Sequence, residues 1–410
     1  MKRLLFLAFT VILTVLFGVA VWQDSMREWT GYQRKFFHSL TRAERQGLTG
    51  GIKQVILTDL RRVDRCTTCH VAIDKPQLAL AEEPFTAHPG TLLESHPPER
   101  FGCTVCHGGQ GLATDTKAAH GEVKHWEQPL LRGPLVQSSC YKCHGDLRPI
   151  ESRAPLLSQG ITLYKQLGCA GCHSVHGFGQ SVSVDLSEMG EKPWQLLDLT
   201  FVTGEENLSQ WVEQHFKEPR RVTPGFRAHE LPPGEEEIFP TFMPQYGLND
   251  EQARALTVYM LSLKDEHLPA SYVRPPGPPD PEPTYASPIE AGRAVFQKFG
   301  CAGCHGLDGI GGRRNWNAWL GDEVPSLIPV KQYYDRETLK EFIRHGRQPV
   351  PRSNPQRPNP PLYMPAWKDR IPDEQMDQLV EYVLSLGEPL PASQPSASQP
   401  PAAAPAATTQ

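Results

Sequence analysis

The stretch "GCAGCH" occurs twice in this chain, at Gly168–His173 and again at Gly300–His305. Three further stretches repeat its outline of two cysteines, separated by two residues and followed by a histidine. They read "CTTCH" at Cys66–His70, "CTVCH" at Cys103–His107 and "CYKCH" at Cys140–His144. Together the five stretches use all ten cysteines of the 410-residue chain. One kind of site therefore accounts for every thiol.

The C-x-x-C-H pattern is typical of the covalent attachment of c-type haem. The two thiols bond to the haem vinyl groups, and the histidine supplies one axial nitrogen to the iron. The sequence thus predicts five covalently bound haem c groups. The predicted attachment residues are Cys66, Cys69, Cys103, Cys106, Cys140, Cys143, Cys169, Cys172, Cys301 and Cys304. The predicted proximal ligands are His70, His107, His144, His173 and His305.

Three other uses of paired cysteines fit the pattern less well. A zinc site takes two C-x-x-C pairs for each metal, which leaves one pair over and gives no reason for the five histidines. A disulfide framework in an exported chain also leaves the histidines unexplained. A thioredoxin-type redox pair is expected once in a chain, not five times.

Length and charge limit the function classes. A chain of 410 residues is long enough for two to four domains. The formal net charge is −5, so no basic surface indicates a nucleic acid partner. Haem propionates would add negative charge, which favours a basic or membrane-embedded partner. The sequence shows no nucleophile, triad or general-base constellation, so we expect an electron-transfer protein and not an enzyme.

The N-terminus carries an uncharged run from Leu4 to Trp22 behind Lys2 and Arg3. This run is close to the ~20 residues that span a bilayer as a helix. A cleaved signal peptide is the alternative, with Gly18–Ala20 as a cleavage site. The length of the run and the interfacial position of Trp22 favour a retained anchor. We expect a single-pass protein of the bacterial inner (cytoplasmic) membrane, with its haem domains in the periplasm.

The chain contains an internal repeat. "GITLYKQLGCAGCH" and "GRAVFQKFGCAGCH" open the two copies, and the predicted helices Leu248–Leu263 and Ile371–Leu386 close them. The expected fold class is mainly α, with a transmembrane helix, a loop-rich three-haem module and two tandem all-α domains. The expected segments are an anchor at 1–24, a juxtamembrane helix at 25–62, a three-haem module at 63–150, a first repeat domain at 155–267, a Pro-rich linker at 268–286, a second repeat domain at 287–388 and a disordered tail at 389–410.

Each repeat offers one methionine as the second axial ligand. Met243 lies in "FPTFMPQYGL" and Met364 in "PPLYMPAW", both just upstream of a closing helix. A thioether opposite histidine raises the reduction potential of a haem. A core methionine that fills a gap is the alternative. The matching placement in both repeats favours ligation.

The three-haem region contains spare histidines instead of a comparable methionine. They are His88, His96, His120 and His125. Three irons need three distal groups, so we expect three of these four to ligate, with His96 and His120 ahead. Ligation by two histidines gives lower potentials than ligation by histidine and methionine. We expect His215 and His345 to be solvated, and His38 is a weaker candidate.

Residues 25–150 resemble the three-haem module of membrane-anchored multihaem cytochromes, which are subunits of bacterial quinol-oxidising respiratory complexes. The likeness rests on four stretches that surround the first three motifs. They are "GIKQVILTDLRRVDRCTTCHVAID", "HPPERFGCTVCHGGQGLAT", "AAHGEVKHWEQPLL" and "SSCYKCHG". The two repeats resemble class I cytochrome c domains, which are all-helical with a distal methionine.

These resemblances imply electron transfer on the periplasmic side of the membrane. The implied donor is a membrane quinol-oxidising subunit, of cytochrome b type or similar. The implied acceptor is a soluble cytochrome or a terminal reductase or oxidase. The alternative is a haem enzyme such as a dihaem peroxidase, in which one iron keeps an open position. A small-ligand sensor or haem-storage protein is a third possibility, but a methionine in both repeats argues against an open iron.

Overall fold

The N-terminal apolar run forms a single helix, α1, at Lys2–Ser25. The computed structural model describes residues 2–124, 126–225, 240–266, 268–278, 281 and 283–387. The apolar side chains of α1 from Leu4 to Trp22 are exposed, and the helix is long and apolar enough to cross a membrane. Mean hydropathy reaches 2.8 within Lys2–Gln23. The helix is therefore an anchor or a signal sequence. The predicted tail at 389–410 lies outside the described residues.

The juxtamembrane helix expected over 25–62 is much shorter than predicted. Helix α2 spans Glu28–Ser39 and ends there. Its buried Phe36 contacts Phe85 with the rings tilted by 31° and 5.5 Å between their centroids, and both pack in a cluster with Val71. The chain then turns back to bring its later residues to the first motif, so packing ends this helix earlier than its composition suggests. The prediction of a continuous helix was wrong.

Short elements surround the first three motifs. Strands β1, Val55–Leu57, and β2, Arg62–Asp64, form an antiparallel pair in which Ile56 lies opposite Val63. The helices of this region are α3 Leu92–Ser95, α4 Pro98–Phe101, α5 Thr104–His107 and α6 Thr116–Ala119. Its 3-10 helices are Cys66–Thr68, Pro76–Leu78, Gly133–Lys142 and Arg148–Ile150. The region is loop-rich, as its motif density predicts.

The two repeats contain the longer helices. In the first repeat these are α7 Pro155–Gln166, α8 Leu208–Lys217, α9 Pro219–Val222 and α10 Asp250–Ser262. In the second they are α11 Pro288–Lys298, α12 Cys301–His305, α13 Arg336–His345 and α14 Asp373–Ser385. The remaining elements are the 3-10 helices Cys169–Gly171, Met189–Glu191, Trp194–Leu196 and Val330–Gln332, and the two-residue strands β3 Ser174–Val175 and β4 Phe178–Gly179. The chain is mostly helical with few strands, and the two closing helices lie where the sequence predicts them.

A glycine lets the opening and closing helices of each repeat cross closely. A Cβ on Gly160 would lie 2.1 Å from the carbonyl oxygen of Ala255, so α7 and α10 touch backbone to backbone. At the equivalent position on α11, a Cβ on Gly292 would lie 1.9 Å from the carbonyl oxygen of Gln378 on α14. An edge-to-face aromatic pair flanks each crossing. The pairs are Tyr164 with Tyr259 at 5.3 Å and Phe296 with Tyr382 at 5.4 Å between centroids. The two repeats thus share one packing arrangement.

The chain divides into two compact units. The first contains residues 1–164, 174–177 and 184–281, and the second contains 165–173, 178–183 and 282–410. The core of the second unit lies between α11, α13 and α14, where Phe296, Met376 and Val380 are at most 1% exposed. The fourth motif, although part of the first repeat, belongs to the second unit.

The first half of the predicted linker packs against the three-haem region. The backbone N–H of Arg274 donates to the carbonyl of Cys143 at 2.7 Å. The ring of Tyr272 meets Phe101 edge to face, with 5.6 Å between centroids. Residues 268–278 are therefore a part of the first unit and not a free spacer. Their prolines still exclude regular structure, as the composition predicts.

Candidate cofactor sites

The first three motifs each form a short helical turn that places their cysteines close together. At the second motif, Asp64 Oδ2 accepts the backbone N–H groups of Cys103 and Thr104 at 2.5 and 2.8 Å. The thiols of Cys66 and Cys103 lie within hydrogen-bonding distance of each other. The hydroxyl of Ser139, just before the third motif, donates to the carbonyl of Cys106 at 2.6 Å. The three motifs are therefore direct neighbours.

Each motif histidine of this region faces one of the spare histidines across a gap. The ring centroids of His70 and His120 are 6.4 Å apart. Those of His107 and His88 are 6.3 Å apart, and those of His144 and His96 are 6.1 Å apart. The fourth candidate, His125, lies outside the described residues.

These distances match a metal ion held between two imidazoles. A bond from metal to imidazole nitrogen is about 2 Å, and the nitrogen lies about 1.1 Å from its ring centre, so two opposed rings stand about 6 Å apart. The three pairs each place one motif histidine opposite one spare histidine. The residues present thus fit a haem iron with two axial histidines at each motif.

Backbone carbonyls hold several of these rings by their Nδ1 atoms. Nδ1 of His88 lies 3.0 Å from the carbonyl oxygen of Pro89, and Nδ1 of His107 lies 3.5 Å from that of Leu131. An Nδ1–H that donates to a carbonyl leaves Nε2 as the lone-pair nitrogen. Metal-binding histidines usually make this kind of contact with their second nitrogen. These contacts leave Nε2 of both rings able to bind a metal.

Burial favours the neutral form of four of the motif histidines. It lowers the pKa of His70, His107 and His144, and a neutral imidazole is the form that binds a metal. In the second unit, burial lowers the pKa of His305 to about 4. Burial also raises the pKa of Cys301 to about 12, so this thiol is protonated before any haem is attached.

Residues of the fifth motif and the predicted methionine of the second repeat line a large cavity in the second unit. Its volume is about 860 Å³, and its walls include Cys301, Cys304, His305 and Met364. Trp367, 3% exposed, forms part of the same wall. Cofactor sites are typically concave, mostly apolar and of roughly 300–1,000 Å³. The residues that line this cavity, which include both a histidine and a methionine, fit a haem.

One histidine of the first unit differs from the sequence prediction. His215, expected to be solvated, is half-buried and its Nε2 lies 3.1 Å from Met243 Sδ. Its ring stacks on Trp211, with 4.6 Å between centroids, and its Nδ1 lies 3.1 Å from the hydroxyl of Thr223. Its place on α8, one residue before the buried Phe216, is the one sequence signal that could have indicated burial. His345, by contrast, is exposed as expected.

The other uses of cysteine find no support in the geometry. No disulfide joins any two of the ten cysteines. Within the part of the chain that the structure describes, no three side chains of His, Cys, Asp or Glu gather in an arrangement that could hold a metal ion without haem.

Two regions of the chain match a family model described as "Cytochrome c", at residues 157–264 and 289–387. Together they cover just over half of the chain. Each region contains one C-x-x-C-H motif and one of the two predicted methionine ligands. No curated protein and no solved structure matches the chain.

Proposed function

Because this chain belongs to the cytochrome c family, we propose that it is a membrane-anchored carrier with five covalent haems. It relays electrons from a membrane quinol-oxidising partner to a soluble cytochrome or a terminal enzyme. The two family regions bind haem c, and the three remaining motifs extend the same chemistry to residues 63–150. Haem supplies one-electron redox chemistry when it is bound.

The facing histidine pairs carry this proposal. A second histidine opposite each proximal one closes the position at which a substrate would bind iron. Met364 in the cavity wall and Met243 in the first repeat serve the same purpose at the other two sites. An iron with both axial positions filled exchanges electrons without binding a substrate, which favours a carrier over a peroxidase or a sensor.

Ligand types set the direction of the relay. Two histidines favour the oxidised iron more than a histidine and a methionine do, so methionine ligation raises the potential. The three histidine pairs follow α1 in the chain, and the methionines follow later. Electrons would therefore enter at the membrane side, pass to the methionine-bearing regions and leave there. The anchor and the net negative charge support a membrane-embedded donor.

A redox titration followed by absorbance, with EPR of the oxidised protein, tests this proposal. We expect three low-potential signals from histidine pairs and two higher-potential signals from sites with histidine and methionine. The sample is the full-length protein with five haems, counted by mass. A high-spin, five-coordinate haem would contradict the carrier function at that site and would indicate an enzyme or a sensor.

A further inference from the structure

The fourth and fifth motifs pack directly against each other within the second unit. Cys172 Sγ and Cys304 Sγ are 3.7 Å apart, which is van der Waals contact. Each is the second cysteine of its motif, so equivalent atoms of the two repeats meet. The pair lies at the centre of the contact between the two "GCAGCH" stretches.

Glycines make this contact possible. A Cβ on Gly171 would lie 2.0 Å from the carbonyl oxygen of Gly300, and a Cβ on Gly300 would lie 2.1 Å from the nitrogen of Gly171. In the same way, a Cβ on Gly168 would lie 2.4 Å from the nitrogen of Gly303, and a Cβ on Gly303 would lie 2.3 Å from the carbonyl oxygen of Gly168. Reciprocal contacts of this kind define a self-complementary interface with approximate two-fold symmetry. Any side chain at these positions would push the two motifs apart.

Haem attachment does not itself require the glycines inside the motifs. The position of Gly171 and Gly303 is occupied by Thr68, Val105 and Lys142 in the other three motifs. All three have side chains that the contact between the fourth and fifth motifs would exclude. The C-x-x-C-H pattern thus tolerates larger residues at this position, whereas the contact does not.

Further contacts fix the two motifs together. The cavity that holds Cys304 and His305 also reaches Gly171 of the fourth motif. The rings of Phe178 and Phe299 lie 6.5 Å apart, and the guanidinium of Arg370 donates to the carbonyl of Gly179. The second repeat therefore contacts the chain both before His173, at Gly171, and after it, at Phe178 and Gly179.

We infer that Cys172 and Cys304 form a junction that couples the fourth and fifth haems directly. The inference rests on the proposed attachment of haem at both motifs. Each sulfur would be bonded to the edge of its own macrocycle, so two carbon–sulfur bonds and one van der Waals contact separate the two edges. One electron would leave the reduced haem, which becomes oxidised, and reach the oxidised haem, which becomes reduced, while no bond forms or breaks and no proton moves.

Circular dichroism in the Soret band tests the junction on the full-length protein with five haems. Two haems held at a fixed short distance give a bisignate signal. Gly171→Ala and Gly303→Ala each insert a methyl group into the contact, and we expect each to remove this contribution while all five haems stay attached. The spectrum of wild type minus variant isolates the junction from the three-haem region.

Gly145→Ala is the matched control, because Gly145 directly follows a motif histidine but an added Cβ meets nothing closer than 3.7 Å. Its spectrum should equal that of the wild type. An unchanged signal in both junction variants would overturn the inference. If the variants lose haem or fail to fold, pulsed EPR on the two higher-potential haems of the wild type decides: dipolar coupling between these two irons would support the junction, and two isolated signals would contradict it.

This test separates the junction from the proposed function. The dichroism depends on geometry alone and needs neither a quinol nor an acceptor. If the difference spectrum shows the bisignate signal but the redox experiment finds five-coordinate haems, the junction is supported and the carrier function is contradicted. If all five haems are six-coordinate but the difference spectrum shows no bisignate signal, only the junction is contradicted.

Discussion

The distal histidines come from separate short segments of the three-haem region. His88 precedes α3, His96 follows it and His120 follows α6, and each faces a motif histidine that is 19 to 50 positions away in sequence. The sequence indicated the residue type, because three irons need three ligands and the region is rich in histidine. It could not indicate the pairing, since His88 faces the second motif and His120 the first. That order depends on how the loops fold and not on any spacing.

Replacement of one distal histidine should open one defined haem. His88→Ala removes the ring that faces His107, so we expect one of the five haems to become high-spin, with the other four unchanged. EPR of the oxidised protein measures this change. His38→Ala, at an exposed position on α2, is the control and should leave every haem low-spin. A fully low-spin His88→Ala protein would show that His88 is not a ligand.

At the scale of elements, helix crossings and ion pairs hold the haem-bearing segments. The closing helices could be predicted to within about two residues because their caps are local, as with Asn249 and Gln252, which cap each other at the start of α10. The end of α2 could not be predicted, because it depends on Phe85, which is distant in sequence. Local signals fix helix starts, whereas packing decides where other segments stop.

The glycine at the crossing of α11 and α14 should tolerate no larger residue. Gly292→Ala places a methyl group against the carbonyl of Gln378, and overpacking of this kind destabilises by roughly 1–3 kcal/mol. Thermal unfolding of the haem-loaded protein measures the loss. Gly31→Ala on α2 is the control, since an added Cβ there meets nothing within 4 Å. Equal stability of the two variants would show that the crossing can relax.

Acid should weaken the ion pairs around Glu266. Burial alone would raise the pKa of Glu266, but Lys142 and Arg62 together outweigh it, and the folded pKa is lower than the ordinary 4.5. Lys142 Nζ lies 2.8 Å from Glu266 Oε2, and the lysine is 7% exposed. Because the folded pKa is lowered, the stabilisation is complete above the ordinary pKa and is lost as the pH falls through the folded value.

Glu266→Gln should therefore lower stability near neutral pH by roughly 1–3 kcal/mol, because Lys142 loses its charged partner. The difference between variant and wild type should shrink as the pH falls below the ordinary pKa. Unfolding temperatures measured across this range give the comparison. Glu99→Gln, at an exposed carboxylate, serves as the control. If the stability difference between Glu266→Gln and the wild type does not change with pH, packing and not charge accounts for the loss of stability.

At the scale of the whole molecule, α1 is either an anchor or a signal sequence, and the two can be told apart. We expect residues 1–22 to remain in the mature protein, so that it resists extraction from membranes by alkaline carbonate. Replacement of these residues by a cleavable export signal should give a water-soluble protein with five haems, because export and attachment are kept while the anchor is lost. Mass measurement of the mature wild type checks the outcome. A mature N-terminus just after Ala20 would identify the segment as a signal peptide.

The placement of the fourth motif also limits how this protein can be divided. Sequence similarity marks two successive copies of one domain, as tandem duplication of a gene segment would produce. The cysteines of the first copy nevertheless lie in the unit formed by the second. A fragment cut between the copies would expose Gly171 and Cys172 and would leave the second copy without part of its packing surface. Removing either copy should therefore disturb the packing around the motifs of both.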